Sequence, residues 1–217
     1  KLLEKIPQIK WVKVGLELFV TEGPDILSVL RDNGKKVFLD LKFHDIPTTV
    51  ARACFAASQT GAEFISLHTC SGMKALKMAK EAVNEGAAKV NSKPPKLLGI
   101  TILTSWKKES FVSDLLIDQS IDQRVKHLAE IAKSSGLDGC VCSPKEVQSL
   151  REIYHDTFEL VTPGIRSLGS DVNDQSRVCD AAEAIKMGAS KLVIGRAITQ
   201  ANDPGQMFKS FCQKVSI

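Results

Sequence analysis

The chain has 217 residues, of which 43% are hydrophobic and 25% charged, so it has the composition of a folded domain with a sizeable core. The net charge of +4 suits an anionic small molecule, but the chain has no dense Lys/Arg run and few aromatic residues, so nucleic-acid binding is not expected. No apolar run reaches the roughly 18 residues of a membrane span, and the start "KLLEKIPQIK" is unlike a signal peptide. Six cysteines without a C-x-x-C pair favour reduced thiols, so a cytoplasmic protein is expected.

Strand-like and helix-like segments alternate from the first residue to the last. The opening "KLLEKI" has the character of the end of a helix. Short apolar runs predict strands at 11–16, 37–42, 63–67, 97–103, 138–142, 158–161 and 191–194. Helical spacing predicts helices at 24–33, 48–60, 73–85, 121–135, 144–153, 179–187 and 204–214.

This alternation predicts a parallel sheet in an α/β fold. Seven strands without a long linker favour a TIM (β/α)8 barrel whose first strand is absent from the chain, that is, one N-terminally incomplete barrel domain over residues 1–217. The doubly wound open sheet is the competing fold. It is less favoured because no G-x-G-x-x-G motif follows an early strand.

The stretch "KKVFLDLKFHDIPTTV" places charges at the end of an apolar strand. In a barrel, Val37 and Leu39 face the helices, while Asp40 and Lys42 point inward and reach the carboxyl end, where barrels place their chemistry. Lys13 alternates with apolar neighbours on the preceding strand, and Asp45 follows shortly, so the four charges are expected to form a row of alternating sign. A held ammonium group can protonate or stabilise a carbanion. A purely structural ion pair is the alternative, although partly buried charges stabilise poorly.

A second group of candidates follows the last two strands, where barrels commonly bind phosphate. Gly195 permits close approach of the backbone to an anion, and Arg196 can grip two phosphate oxygens. Arg166 and Gln175 on the preceding loop are further donors. The alternative for Arg166 is a solvated loop charge.

Two smaller features lie at other strand ends. Thr104 and Ser105 in "GITILTSW" offer hydroxyl groups to an amide-like substrate edge, or else cap a helix. His44 and His68 lie near the same mouth, but without a clear third ligand they do not make a convincing metal site.

These motifs together resemble a known family. "FLDLKFHDIPTT" is similar to the D-x-K-x-x-D-I-P-x-T signature of the orotidine 5'-phosphate decarboxylases, in particular the bacterial type. "KVG", "LTS", "TPGIR", a downstream Asp-Gln pair and "VIGR" follow in the family's order, so the resemblance covers essentially the whole chain. The chain departs from the family in lacking the first-strand aspartate, in having Ser167 where proline is common, and in lacking a Thr-Pro pair before the helix at "VCDAAEA".

The resemblance implies a homodimeric barrel that converts orotidine 5'-phosphate into uridine 5'-phosphate and carbon dioxide without a metal or organic cofactor. It implies that Lys42 protonates C6 and that Asp40 orients Lys42 near the substrate carboxylate. Asp45 and Thr49 would be contributed across the dimer interface, and Lys13 would bind the ribose. The remaining substrate contacts implied are Thr104 and Ser105 at the base, and Arg166, Gln175, Gly195 and Arg196 at the phosphate.

Two other functions stay open. One is a metal-dependent barrel enzyme of the same superfamily, acting on a 3-keto sugar acid phosphate or joining formaldehyde to a pentulose phosphate. Those families have Asp-Ala-Gly where this chain has Asp45-Ile46-Pro47. The other is a barrel that binds a nucleotide without turning it over.

Overall fold

A computed structural model describes residues 1–166 and 179–215. Strands and helices alternate in it at nearly the predicted positions. The strands are β1 (Trp11–Gly15), β2 (Lys36–Phe43), β3 (Phe64–His68), β4 (Lys96–Ile100), β5 (Gly139–Val141), β6 (Glu159–Thr162) and β7 (Lys191–Leu192). All seven predicted strands are therefore confirmed, with their ends shifted by at most three residues.

The helices include every predicted one and several short ones that the sequence pattern did not indicate. They are α1 (Leu2–Lys5), α2 (Leu16–Glu22), α3 (Asp25–Asp32), α4 (Pro47–Ser58), α5 (Gly72–Lys89), α6 (Lys108–Leu115), α7 (Ile121–Ser134), α8 (Pro144–Ile153), α9 (Ala181–Lys186), α10 (Arg196–Thr199) and α11 (Pro204–Val215). A 3-10 turn, Thr69–Ser71, precedes α5. The sequence pattern did not predict α2, α6 and α10, which have seven, eight and four residues.

Proline lies in the first turn of several helices and glycine follows the end of several, as is typical of these residue types. Pro47 and Pro144 occupy the first turns of α4 and α8, where a missing N–H donor costs no hydrogen bond. Gly61 and Gly188 follow α4 and α9 with φ of 75° and 103°. A Cβ at Gly188 would lie 2.8 Å from Cγ of Arg151, so this position lacks room for a side chain as well as having a backbone that favours glycine.

The order of the strands in the sheet is their order along the chain, β1 to β7. The pairs β1–β2, β2–β3, β3–β4 and β6–β7 are parallel. A doubly wound sheet reverses its strand order at a switch point, so the observed order excludes that alternative. Carboxyl ends of neighbouring parallel strands meet at one edge, and this brings the charged residues of β1 and β2 together.

The chain packs into two compact units, each assembled from separate stretches. One comprises Ile9–Thr101 and His127–Cys140, and the other comprises Lys1–Gln8, Ile102–Lys126 and Val141–Ile217. The first unit buries Val37, Leu39 and Ile65 completely or nearly so. The second buries Phe158 and Leu160 in the same way. The expectation of a single domain over the whole chain stays a prediction.

Candidate active site

Three of the four predicted charges meet at the carboxyl ends of β1 and β2. The parallel register places Gly15 opposite Asp40, so Lys13 on β1 reaches the Asp40 side chain on β2. Lys13 Nζ lies 3.2 Å from Oδ2 of Asp40, and Lys42 Nζ lies 2.8 Å from the same oxygen. The carboxylate is nearly buried, whereas the two lysine side chains are about one-third exposed, at 35% and 30%. We call this group the Lys13–Asp40–Lys42 cluster.

The cluster keeps Asp40 ionised. Burial raises the pKa of the Asp40 carboxyl, but the positive charges of Lys13 and Lys42, with hydrogen bonds from Lys42 and Ser66, outweigh that effect. The pKa therefore lies below its usual value of 3.8. Near neutral pH an anion thus stands between two cations, and it holds the Lys42 ammonium group at a defined position with part of its surface open to solvent.

Ser66 on β3 is a member of this site that sequence reasoning missed. Its hydroxyl donates a hydrogen bond to Oδ1 of Asp40 at 2.8 Å and accepts one from the backbone N–H of Lys42 at 3.0 Å. The residue is fully buried. The only signal in the sequence is a small polar residue inside the apolar run "FISL", which is easily interpreted as a neutral strand position.

Asp45 and Thr49 lie outside the Lys13–Asp40–Lys42 cluster. Asp45 is exposed, and its Oδ1 accepts a hydrogen bond of 2.7 Å from the backbone N–H of Ile46. Thr49 is exposed in the first turn of α4. The predicted row of four alternating charges is therefore a row of three within this chain, because Asp45 follows β2 and faces solvent before α4 begins.

Two histidines lie beside the cluster. The rings of His44 and His68 are 5.2 Å apart, and Sγ of Cys70 lies 3.9 Å from Nε2 of His44. Burial, followed by the nearby His44 and Lys42, lowers the pKa of His68 to about 4 despite the opposing effect of Asp40. His68 is therefore neutral near pH 7. Within residues 1–166 and 179–215, no three His, Cys, Asp or Glu side chains are grouped as metal ligands would be.

Thr104 and Ser105 occupy a turn between β4 and α6. Thr104 is half-buried and Ser105 is exposed. The N-cap of α6 is Lys107. The helix-capping alternative for the two hydroxyl residues is therefore wrong for this helix.

The residues predicted to bind phosphate lie in two segments of the chain. Arg166 is buried, with 7% of its surface exposed, so the alternative of a solvated loop charge is wrong. Its Nη1 donates to the carbonyl of Ile165 at 3.3 Å. Gly195 is exposed, an added Cβ would meet no atom within 4 Å, and Arg196 begins α10 directly after it. Gln175 and Ser167 lie outside the described residues.

Comparison with known proteins decides the family. A family model described as orotidine 5'-phosphate decarboxylase / HUMPS family matches residues 1–211. The chain belongs to this family. Curated relatives named orotidine 5'-phosphate decarboxylase match the chain over essentially its whole length.

Two such relatives come from strains of Prochlorococcus marinus, and both are named orotidine 5'-phosphate decarboxylase. They are 83% and 82% identical over 216 residues, which is 100% of this chain and 90% of each relative. A solved structure, the orotidine 5'-phosphate decarboxylase from Lactobacillus acidophilus, is 36% identical with a TM-score of 0.83, over 95% of this chain and 87% of that chain. The predicted family is thereby confirmed.

The fold class is confirmed as well. The parallel strands in sequence order and the match to that solved decarboxylase assign the chain to the TIM (β/α)8 barrel class. In the part of the chain that the structure describes, no helix has the length and apolar character that crossing a membrane requires.

Proposed function

We propose that this chain decarboxylates orotidine 5'-phosphate to uridine 5'-phosphate, the last step of de novo uridine 5'-phosphate synthesis, without a metal or organic cofactor. One observation carries the proposal. In a chain of this family, Lys42 Nζ is held 2.8 Å from a buried carboxylate that a second ammonium group also contacts. A cation fixed before the substrate arrives can stabilise charge that develops only in the transition state. The reaction takes place in the cytoplasm.

Lys42 supplies the proton. As the bond from C6 to the carboxylate breaks, its electron pair stays on C6 and carbon dioxide leaves. The ammonium group of Lys42 stabilises this carbanion and transfers a proton to C6, and solvent then restores the proton to Lys42. Asp40 orients Lys42 and lies near the substrate carboxylate, and Lys13 keeps Asp40 ionised while it contacts the ribose.

Other residues bind the parts of the substrate that do not react. Thr104 and Ser105 contact the pyrimidine, and their turn after β4 supports this because hydroxyl groups can both donate and accept. The phosphate is held by Arg166, Gln175, Gly195 and Arg196. The open space above Gly195 supports this role, since a phosphate can approach its backbone N–H. Binding energy from the phosphate serves to order the reacting groups.

The enzyme acts as a homodimer in which Asp45 and Thr49 enter the partner's site. Their exposure supports this arrangement, because neither side chain takes part in the Lys13–Asp40–Lys42 cluster of its own chain. If Asp45→Asn and Lys42→Ala subunits, each inactive alone, are mixed and re-equilibrated, heterodimers regain one intact site, and activity returns to about a quarter of the parent value. If no activity returns although heterodimers form, the shared site is wrong.

The decisive test of the reaction is the change in ultraviolet absorbance after orotidine 5'-phosphate is added with excess chelator. The parent chain turns over, and Lys42→Ala loses activity by at least about 100- to 1,000-fold. The matched control is Lys36→Ala, because Lys36 lies on the same strand with its ammonium group 5.7 Å from the centre of the Trp11 ring. This control keeps parental activity.

The other outcomes distinguish the alternatives. Activity that depends on a metal, with 3-keto sugar acid phosphates or with formaldehyde and a pentulose phosphate, supports the related sugar-phosphate enzymes instead. Binding of uridine 5'-phosphate without turnover by the parent supports a binding protein. Equal activity in the parent and Lys42→Ala would show that Lys42 is not the proton donor.

A further inference from the structure

Strand β2 contains an irregularity just where the active-site charges lie. Leu39 of β2 aligns with Ile65 of β3, but the next aligned pair is Phe43 with Leu67. Three residues of β2, numbers 40 to 42, therefore face a single residue of β3, Ser66. Such a bulge frees backbone groups from the regular ladder of hydrogen bonds and redirects side chains.

The backbone of Lys42 has the conformation that this bulge requires. Its φ is +52°, in the left-handed region that residues other than glycine adopt rarely. Unusual backbone conformations at functional sites persist only where the surroundings hold them. The N–H of Lys42 has its acceptor in the Ser66 hydroxyl rather than in a backbone carbonyl of the ladder. The Ser66 hydroxyl therefore takes the place of the backbone acceptor that a regular strand pairing would provide.

The same hydroxyl fixes the carboxylate. Ser66 donates to Oδ1 of Asp40, while both lysines contact Oδ2. A hydroxyl has one donor hydrogen and two acceptor lone pairs, so one buried group can bond to the carboxylate and the amide at once. With each Asp40 oxygen assigned to a different partner, rotation of the carboxylate would break at least one contact.

We propose that Ser66 is a positioning residue for the decarboxylation centre, whose hydroxyl couples the left-handed backbone of Lys42 to the orientation of the Asp40 carboxylate. The proposal rests on the function proposed above. Ser66 acts through these two residues and does not touch the reacting atoms. In its absence the partly buried N–H of Lys42 loses its acceptor, and the carboxylate is free to turn.

Kinetics of Ser66→Ala and Ser66→Cys test the proposal. Cysteine fills nearly the same volume but is a weak hydrogen-bond donor and acceptor, so it separates hydrogen bonding from packing. We expect kcat to fall about 10- to 100-fold in both variants, as displacement of a reacting group does, with KM changed less than about threefold. Ser58→Ala is the matched control, because that buried hydroxyl donates to the Phe55 carbonyl within α4.

The pH profile gives a second measure. The hydrogen bond from Ser66 helps to lower the pKa of Asp40 in the free protein, so its loss moves the acid limb of the kcat/KM profile to higher pH. A role in packing alone would leave this limb unchanged. Ser58→Ala keeps the parental limb and the parental kcat.

Amide hydrogen exchange makes the test independent of turnover. The Lys42 N–H exchanges faster in both Ser66 variants than in the parent, while neighbouring β2 amides keep their rates. If the parent does not turn over, the proposed function fails, and the exchange rates still decide the role of Ser66. Parental kcat, pH limb and Lys42 exchange in a folded Ser66→Cys protein would overturn the proposal.

Discussion

His68 makes the free energy of unfolding depend on pH, because the folded protein disfavours the protonated, positively charged form of its ring. Its ring lies at the end of β3, 5.2 Å from the His44 ring and near the Lys42 ammonium group. Burial, His44 and Lys42 together lower the pKa of His68 from 6.5 to about 4. In the unfolded chain the same ring has the ordinary value. Between these two values the unfolded chain binds a proton that the folded protein does not.

The sign of the effect follows from this difference. Above pH 6.5 the ring is neutral in both states, and as pH falls from 6.5 towards 4 protonation favours the unfolded chain. The full shift corresponds to a loss of about 2.5 kcal/mol of unfolding free energy between pH 7.5 and 4.5. Because His68 is partly exposed, solvent screening reduces the expected loss to about 1–2 kcal/mol.

Urea unfolding at several pH values between 4.5 and 7.5 measures the effect. His68→Gln removes the titrating group, so the difference in unfolding free energy between parent and variant should change by about 1–2 kcal/mol across this range. Other titrating groups are common to the two proteins and cancel. NMR titration of the histidine ring protons gives the His68 pKa directly. A value near 6.5, or a pH-independent difference between parent and variant, would refute the reasoning.

Three further substitutions test packing and charge in the compact unit that contains His68 and includes Ile9–Thr101. Asp40→Asn leaves two ammonium groups without their anion, so urea unfolding should show that the free energy of unfolding falls by about 2–4 kcal/mol. This loss should be smaller in high salt, and a salt-independent loss would contradict the charge argument. Gly15→Ala places a Cβ 3.0 Å from Nζ of Lys13, so steady-state kinetics should show kcat/KM reduced about tenfold, whereas parental kinetics would show that the ammonium group has room to move. Gly99→Ala places a Cβ 2.6 Å from Oγ1 of Thr69 and should lower the unfolding free energy by about 1–3 kcal/mol. The loss should be smaller in a Thr69→Ala background, where this contact is removed. An equal loss there would show that the strain arises elsewhere.

Local sequence patterns were sufficient to predict the regular elements. Apolar runs and helical spacing located all seven strands and most of the helices, because burial on one face imposes a period that short windows reveal. The helices α2, α6 and α10 were not predicted. The competing fold class was excluded only by the order of the strands in the sheet, which a single sequence does not display.

Much of the candidate active site is also encoded by one segment of the sequence. Asp40 and Lys42 lie two residues apart on one strand, so alternation alone predicts that they share a face, and the structure gives a 2.8 Å contact. Lys13 could be added because the preceding strand has the same alternation, and the register of β1 with β2 then brings it within 3.2 Å of Asp40.

Tertiary structure decided the rest of this site. Asp45 has the right charge and spacing for the cluster, yet it faces solvent because the chain has already left β2. Ser66 has no charge and no motif, yet it contacts both Asp40 and Lys42 because a bulge sets three residues of β2 against one of β3. Strand register and bulges depend on pairing between segments that are distant in sequence. The sequence by itself therefore determined which charged groups are candidates for the chemistry, and the sheet decided which of them meet.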